Sequence, residues 1–536
     1  MMDLLVRNLR ISLLKEMTLE TALAKKLGVA ETVFTKLKIV RKAVDARKKE
    51  NIFLNFHVQL QLDAPKKTCQ RILANKDVEE IKFEQAMEPK FGTEKLTAPP
   101  LIIGAGPAGL YAALELAKYG YQPILVERGK PVAERVLDVE AFWKTGNFNP
   151  ASNCQFGEGG AGTFSDGKLT TRVNDPVMGS ILQTFVDCGA PENILYEHKP
   201  HVGTDRLRKM VANLSQKIRD LGGKVLYNSC VTEFEVTGNL ITKVVLNNSK
   251  KLAVGAVILA CGHSARDTYA MLQQMNVAMA TKNFAIGLRI EHPQELIDKA
   301  QYGSFAGHHL LGAADYMLTY NDDNLKRSCY SFCMCPGGQV VAAASEQGGV
   351  VVNGMSNFHR DSGIANAALV VNVTGDDFGH NPLDGVEFQR HYEQLAFGLG
   401  GKNYYAPAQN LDTFLRGAEP STEGLLPSSY RPGVRAARLS EALPDYVVKT
   451  LRLAVKNFDR KLKGFADGGA LLTGVETRTS APLRILRNRE NYQSISHTNL
   501  YPCGEGAGYA GGIMSAALDG YHVARAMMGR YAGFRC

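Results

Sequence analysis

Leu101-Ile-Ile-Gly-Ala-Gly-Pro-Ala-Gly-Leu110, with the run that carries it on to Glu127, is the stretch whose reading decides the fold. Leu101 to Ile103 is a short apolar run that ends in glycine, the pattern of a buried strand. Gly104, Gly106 and Gly109 follow in G-x-G-x-x-G spacing. Leu110, Leu114 and Ala117 then recur at a helical period, and Gly120 suits the helix C-terminus. A second apolar run, Ile124 to Val126, ends in Glu127 and Arg128. Each part has a mechanical reason: Gly104 permits a tight turn, Gly106 a close backbone approach to a pyrophosphate, and Gly109 close packing of helix on strand. Pro107 and Ala108 open a helix whose unpaired N–H groups and positive dipole end face the phosphates. Glu127, about 20 residues on, is placed to accept hydrogen bonds from a ribose. Strand, glycines, helix, strand and acid in this order predict a dinucleotide site on a parallel α/β sheet.

Two more glycine-rich turns follow apolar runs. Val254 to Ala260 stops at Cys261-Gly262-His263, with Val231 opening a hairpin just upstream. Asn499 to Pro502 runs into Cys503-Gly504-Glu505, and Gly511-Gly512-Ile513 then leads into an alanine-rich helix. Three such turns imply a long cofactor lying over the carboxyl edge of one sheet. NAD alone would need only the first turn, whereas FAD would use the others for its ribityl chain and ring. No second G-x-G-x-x-G opens a full unit of strand, glycines, helix, strand and acid, so no dedicated NAD(P)H domain is visible, and NAD(P)H as electron donor stays open.

Working outward, 536 residues are too many for one core, so two or three domains are expected. The first, 1–95, reads as a small α+β module. Ile52, Leu54, Phe56, Val58, Leu60 and Leu62 alternate as in a half-buried strand, while 18–27 and 33–44 read as helices and 69–74 as part of another. Its basic run from Lys36 to Lys49 suits either nucleic-acid phosphates or a solvated face; with only Phe34 and Phe53 interleaved, the solvated face is favoured. A polar linker ends at Pro99-Pro100. An FAD-binding domain is then expected over 96–280 and 466–536, with an inserted mixed α/β cap, facing the substrate, over 281–465. The fold expected is α/β: a three-layer Rossmann-like domain with an inserted cap and the N-terminal module.

Composition excludes little. Net charge is +9, which permits an anionic ligand without demanding one. Ten cysteines in no regular framework read as reduced thiols, and no run approaches the length of a membrane span. A soluble cytoplasmic protein, with a small-molecule substrate and no membrane partner, is the expectation.

The loop Phe156-Gly-Glu-Gly-Gly-Ala-Gly-Thr-Phe-Ser-Asp-Gly-Lys-Leu169 carries five glycines, including Gly160, whose N–H groups can form anion nests. Thr163, Asp166 and Lys168 add polar groups there. Lys168 would either offset negative charge on a cofactor or substrate, or pair with Asp166. Cys333 and Cys335 form a C-x-C that could act as a dithiol or bind metal with Cys329; with no second metal pair nearby the non-metal reading is favoured, leaving Cys335, with Asp166 and Lys168, as candidate catalytic groups. Arg360, Arg478 and Arg484 would line an acidic-substrate pocket or form ion pairs.

GAGPAG with Glu127, the Ala260-Cys261-Gly262 turn and Cys503-Gly504-Glu505 resemble the motifs of two-dinucleotide-fold flavoproteins of the glutathione-reductase type. That resemblance implies that Glu505 binds ribityl hydroxyls and that the backbone of Gly512 and Ile513 lies near the flavin ring. More closely, the chain looks like the uncharacterised bacterial FAD-dependent dehydrogenase family, loosely related to aminoacetone-oxidase-like flavoproteins. The match is carried by residues 156–169, by FCMCPGGQVVAAASE (332–346), GMSNFHRDSGIANAAL (354–369) and ETRTSAPLRILR (476–487), and by VDARKK (44–49) in the N-terminal extension. It implies FAD binding and oxidoreductase activity on an unidentified substrate. An RNA-modifying flavoprotein using residues 1–95, or a flavin-binding interaction protein without turnover, are the alternatives.

Overall fold

A computed structural model describes residues 2–15, 17–81, 88–420, 424–467 and 469–533. The N-terminal module folds as strand Met2–Ser12, helix Leu19–Leu27, strands Phe34–Asp45 and Phe53–Leu62, helix Lys66–Leu73 and strand Val78–Glu80. Its antiparallel sheet has, across its width, the second, third, first and fourth of these strands, which is the β-α-β-β-α-β ferredoxin-like arrangement. Thr18 caps the first helix by accepting from the Thr21 N–H. The helix expected over 33–44 is instead the edge strand Phe34–Asp45. Its Thr, Ile and Val residues favour an extended chain, and its lysines keep a sheet edge from pairing with strangers. One end of that edge is nevertheless used. Lys42 N–H donates to the Tyr196 carbonyl at 2.7 Å and its ammonium pairs with Glu197 at 2.9 Å, which stitches the module to the next domain. The strand Phe53–Leu62 buries Leu54, Phe56, Val58, Leu60 and Leu62 and turns Asn55, His57, Gln59 and Gln61 to the other face. Phe53, on that face, lies under the Arg10 guanidinium at 4.1 Å.

From Leu101 the chain builds a five-stranded parallel sheet in the order Leu500–Pro502, Val257–Leu259, Leu101–Ile103, Ile124–Val126, Lys224–Leu226. One face carries the helices Pro107–Lys118, Thr204–Asp220 and Ile513–Arg530, the other a three-stranded antiparallel meander over 231–253. These are the three layers expected. Pro107–Lys118 is buried on all sides from Ala108 to Ala117, so it is apolar all round except for Glu115, which pairs with Arg525 at 2.7 Å. Gly109 is demanded by this packing, because a Cβ there would stand 1.9 Å from the Gly104 carbonyl oxygen. Gly104 itself has φ +102° and abuts the Ala260 carbonyl.

The cap is a seven-stranded sheet in the order Thr319–Asp322, Arg327–Cys335, Ile364–Val373, Phe284–Pro293, Leu471–Glu476, Ala406–Asn410, Val434–Ala436. All its pairs are antiparallel except the last. Leu471–Glu476 sits inside this sheet, so the cap runs past residue 465. The helix Asp445–Lys461 packs Val447, Leu451, Val455 and Phe458 onto it. Among the described residues no helix is long and apolar enough to cross a membrane, and all nine cysteines are free thiols.

Candidate functional site

The three glycine turns open into one cavity of about 410 Å³ between the carboxyl edge of the parallel sheet and the cap. The parallel-sheet domain contributes Gly104, Gly106, Pro107 and Ala108, then Glu127 and Arg128, then Val231, Ala260, Cys261 and Gly262. The loop contributes Gly160, Asp166 and Lys168, and the C-terminal turn Gly504, Glu505, Gly511, Gly512 and Ile513. The cap closes the far side with Phe332, Cys333, Asn353, Glu476, Arg478 and Thr479. Of the residues singled out from sequence for the site, Gly109, Thr163, Cys335, Arg360 and Arg484 lie off the cavity wall. Thr163 is buried and donates to the Glu158 carbonyl at 3.3 Å, and the cavity takes Cys333 in place of Cys335.

Two helices of more than eight residues, Pro107–Lys118 and Ile513–Arg530, point their N-termini at this cavity. Neither has a side-chain cap, so their first N–H groups are available to an anion or a carbonyl. Gly106 differs from its two neighbours in the motif. A Cβ there would meet only the Gly160 Cα, at 3.9 Å, and Cβ atoms on Gly511 and Gly512 would meet nothing within 4 Å. At these glycines the missing side chain leaves room for something that is not protein, which is the fit a dinucleotide requires.

Glu127 does more than sequence spacing shows. Its carboxylate accepts from the N–H groups of Ala105 (2.8 Å), Gly129 (2.9 Å) and Gly157 (2.9 Å), tying the first turn, the second strand end and the glycine loop together. A carboxylate has about four acceptor positions, so one remains for a hydroxyl. Arg128 is held in the wall by a bidentate pair with Asp267, both contacts 3.0 Å, and lies over the Phe156 ring. Tyr269 clamps the other two turns, its hydroxyl lying 2.8 Å from the Gly506 carbonyl and 3.2 Å from that of Gly262.

The loop is organised by a residue that sequence reading passed over. Arg135, with no exposed surface, donates to the carbonyls of Asn153, Gly157, Glu158 and Gly160 at 2.7–3.3 Å. An arginine one turn into a helix carries no sequence signal for such a task. Asp166 is buried and accepts two hydrogen bonds from Arg360, at 3.0 and 2.5 Å. Burial would raise its carboxyl, but the Arg360 charge outweighs it and holds the group below the usual range. Lys168 is 4.0 Å from Asp166 and donates to the Met334 carbonyl, so it reaches across the cavity to the cap. Arg478 lines the cavity and Arg360 reaches it only through Asp166, and each is committed to a carboxylate. Arg478 and Arg266 both grip Glu393, at 2.7–2.9 Å, in a buried cluster that also takes in Thr477 and Ser345. Arg484 stacks on Tyr509 instead. His263 sits beside this cluster; burial, with the charges of Arg478 and Arg266, pushes its imidazole down to about 3, so it is neutral at physiological pH.

Glu505 is the exception among these charges. Among the described residues its carboxylate makes no hydrogen bond within the chain, although it lies in the cavity wall. Burial pushes it up to about 7, with Lys282 pulling the other way. A folded value above the ordinary carboxyl value of about 4.3 means that ionisation destabilises the ligand-free fold, increasingly as pH rises towards about 7. Glu505→Gln is therefore expected to raise the melting temperature of ligand-free protein above pH 7, the gap to wild type closing as pH falls towards about 4. A gap that does not change over this range would show that Glu505 is satisfied by some other partner.

Residues 97–135 match a family described as an FAD binding domain, residues 283–479 one described as an FAD-dependent protein, C-terminal domain-like, and residues 5–61 a domain of unknown function. An uncharacterised protein of Clostridium beijerinckii is 48% identical over 532 residues, 99% of each chain. Solved structures that resemble the chain include L-proline dehydrogenase from P. horikoshii (12% identical, 81% of this chain and 94% of that one, TM-score 0.36) and glycine oxidase from Bacillus cereus (11%, 81% and 95%, 0.35). CtdE in complex with FAD is similar at 13% identity, 80% and 84% coverage, and a TM-score of 0.31. The fold and site define an FAD-binding protein. The chain belongs, with the C. beijerinckii protein, to a family of FAD-dependent proteins.

Proposed function

We propose that this protein is an FAD-dependent oxidoreductase acting on a small organic substrate in the cleft between the parallel sheet and the cap. The observation that carries the reading is the convergence of three open glycine turns, two uncapped helix N-termini and the unpartnered Glu505 on one cavity whose other wall is the cap. In this reading the Gly104–Gly109 turn and its helix hold the pyrophosphate, and Glu127 offers its remaining acceptor to a ribose. Glu505 takes ribityl hydroxyls, while Ala260, Cys261 and Gly262 give backbone contacts along the cofactor. Bound there, FAD supplies two-electron transfer, and the protein supplies position and charge. The N–H groups of Gly512 and Ile513 stabilise negative charge that develops beside the helix end. Lys168 adds a cation at the cap side, and Asp166, fixed as a carboxylate by Arg360, keeps that cation in place. The substrate enters against Asn353, which offers a hydrogen bond without charge.

Anaerobic spectra of the purified protein test this. A bound flavin band is expected, and it should bleach on adding either a nicotinamide or an organic reductant from a panel of amines, amino acids and hydroxy acids. A flavin that no member of either class reduces would overturn the oxidoreductase reading in favour of a flavin-binding protein without turnover.

A further inference from the structure

We propose that Cys333 and Cys335 form a redox-active dithiol in the wall of the flavin cleft, closing to a disulfide as an electron pair passes between them and the flavin. The inference rests on the FAD reading of the cleft and adds a second two-electron carrier to the same site.

The strand Arg327–Cys335 pairs regularly with Ile364–Val373 as far as Phe332, opposite Ala368. The register then slips, because Cys335 stands opposite Asn366, so two residues of one strand face one of the other. Cys333 takes up this bulge with φ +42°, a left-handed conformation that a non-glycine residue holds only when its surroundings impose it. The result is that Cys333 lines the cavity with Glu505 and Gly512, while Cys335 lies directly behind it, fully buried. The Cys335 thiol donates to the Cys333 carbonyl at 3.2 Å, which turns its sulfur back towards the residue that lines the cavity.

Two cations hold the peptide that joins them. Arg289, itself fully buried and fixed by Glu476 and Asn366, donates to the Cys333 carbonyl at 3.3 Å. Lys168 donates to the carbonyl of Met334, the residue between the cysteines. These surroundings separate the two thiols. The neighbouring Cys335 thiol holds Cys333 below the ordinary thiol range despite burial, with the charges of Arg289 and Lys168 adding to it, and Cys335 is pushed up in turn. Cys154, buried, and Cys261, in the wall of the same cavity, are instead pushed up to about 12 by desolvation. One sulfur is thus prepared as the nucleophile and its neighbour as the resolving thiol.

The step balances without a further reagent. The Cys333 thiolate bonds to the Cys335 sulfur as Cys335 loses its proton. The electron pair and that proton pass to the oxidised isoalloxazine, leaving the disulfide and the reduced flavin anion. Reversal regenerates thiolate, thiol and oxidised flavin.

Anaerobic dithionite titration of flavin-loaded protein, first oxidised with diamide and desalted, tests the proposal. Wild type is expected to take up about four electrons per flavin, against about two for Cys333→Ser and Cys335→Ser. Thiols counted in denaturant on wild type alone supply a check that needs no variant: the oxidised protein should show two fewer than the reduced one. Two electrons in wild type with no change in thiol count would overturn the dithiol. Flavin absorbance at the start keeps the premises apart. Protein that retains no flavin overturns the proposed function, and with it this exchange, whereas flavin present with two-electron uptake overturns the dithiol alone.

Discussion

Gly106→Glu is expected to give a folded protein that retains less than about a tenth of the wild-type flavin, a loss worth at least about 1.4 kcal/mol of binding. A Cβ at this position would meet no protein atom closer than 3.9 Å, so a side chain can leave the backbone here without a clash and extend into the cavity. It would fill the space at the mouth of the Pro107–Lys118 helix and place a carboxylate where the reading puts a pyrophosphate. Gly109→Ala makes the contrast. Its Cβ collides with the Gly104 carbonyl, so that variant should lose stability first and flavin only as a consequence. Flavin absorbance per protein, set beside the melting temperature of the flavin-free form, separates the two. Full flavin occupancy in Gly106→Glu would displace the pyrophosphate from the first turn.

The second large effect is expected at Glu393, which is off the cavity wall but holds two arginines beside it. Its carboxylate accepts four hydrogen bonds from Arg266 and Arg478 and one from Thr477. Arg266 belongs to the parallel-sheet domain, Glu393 to the cap helix Asp384–Leu399 and Arg478 to the segment that leaves the cap. Glu393→Ala would strand two buried guanidiniums, and breaking such a cluster costs about 3–5 kcal/mol. Burial alone would raise the Glu393 carboxyl, but the two arginines hold it far below its ordinary range. Its folded value is depressed, so its contribution is complete above the unfolded value of about 4.3 and declines as pH falls below that. The stability gap between wild type and Glu393→Ala, read by urea unfolding, should therefore be widest near neutrality and narrow on acidification. A gap below about 1 kcal/mol at pH 7 would mean that the cluster is solvated and does not hold the cap.

The parallel-sheet domain was legible because its signals are local. The turn Gly104–Gly109 and the acid Glu127 lie on consecutive strands, and each glycine has a steric reason that spacing alone exposes. The edge strand Phe34–Asp45 was misread as a helix because basic residues interrupt its alternation; pairing with Phe53–Leu62, which no window on 33–44 contains, decides the matter. The cap boundary was set too early for a similar reason, since Leu471–Glu476 joins its sheet across almost two hundred residues. In the site, the glycines and Glu505 could be found by motif. Arg135, Arg289 and Glu393 could not, since each acts through contacts made only when distant segments meet. The cavity's choice of Cys333 over Cys335 depends on a single bulge that sequence does not announce.

The order in which strands enter their sheets also sets the order in which this chain can fold as it leaves a ribosome. The N-terminal module has all four of its strands by residue 80. The cap waits for Leu471–Glu476 to fill a place between strands made long before, and the parallel sheet waits longer still for Leu500–Pro502. Until Leu471–Glu476 is made the cap sheet stands in two parts, and until Leu500–Pro502 is made the parallel sheet lacks an edge strand, a condition in which nascent chains aggregate. The small module, complete early and stitched through Lys42 to Tyr196 and Glu197, gives the unfinished chain its first settled surface.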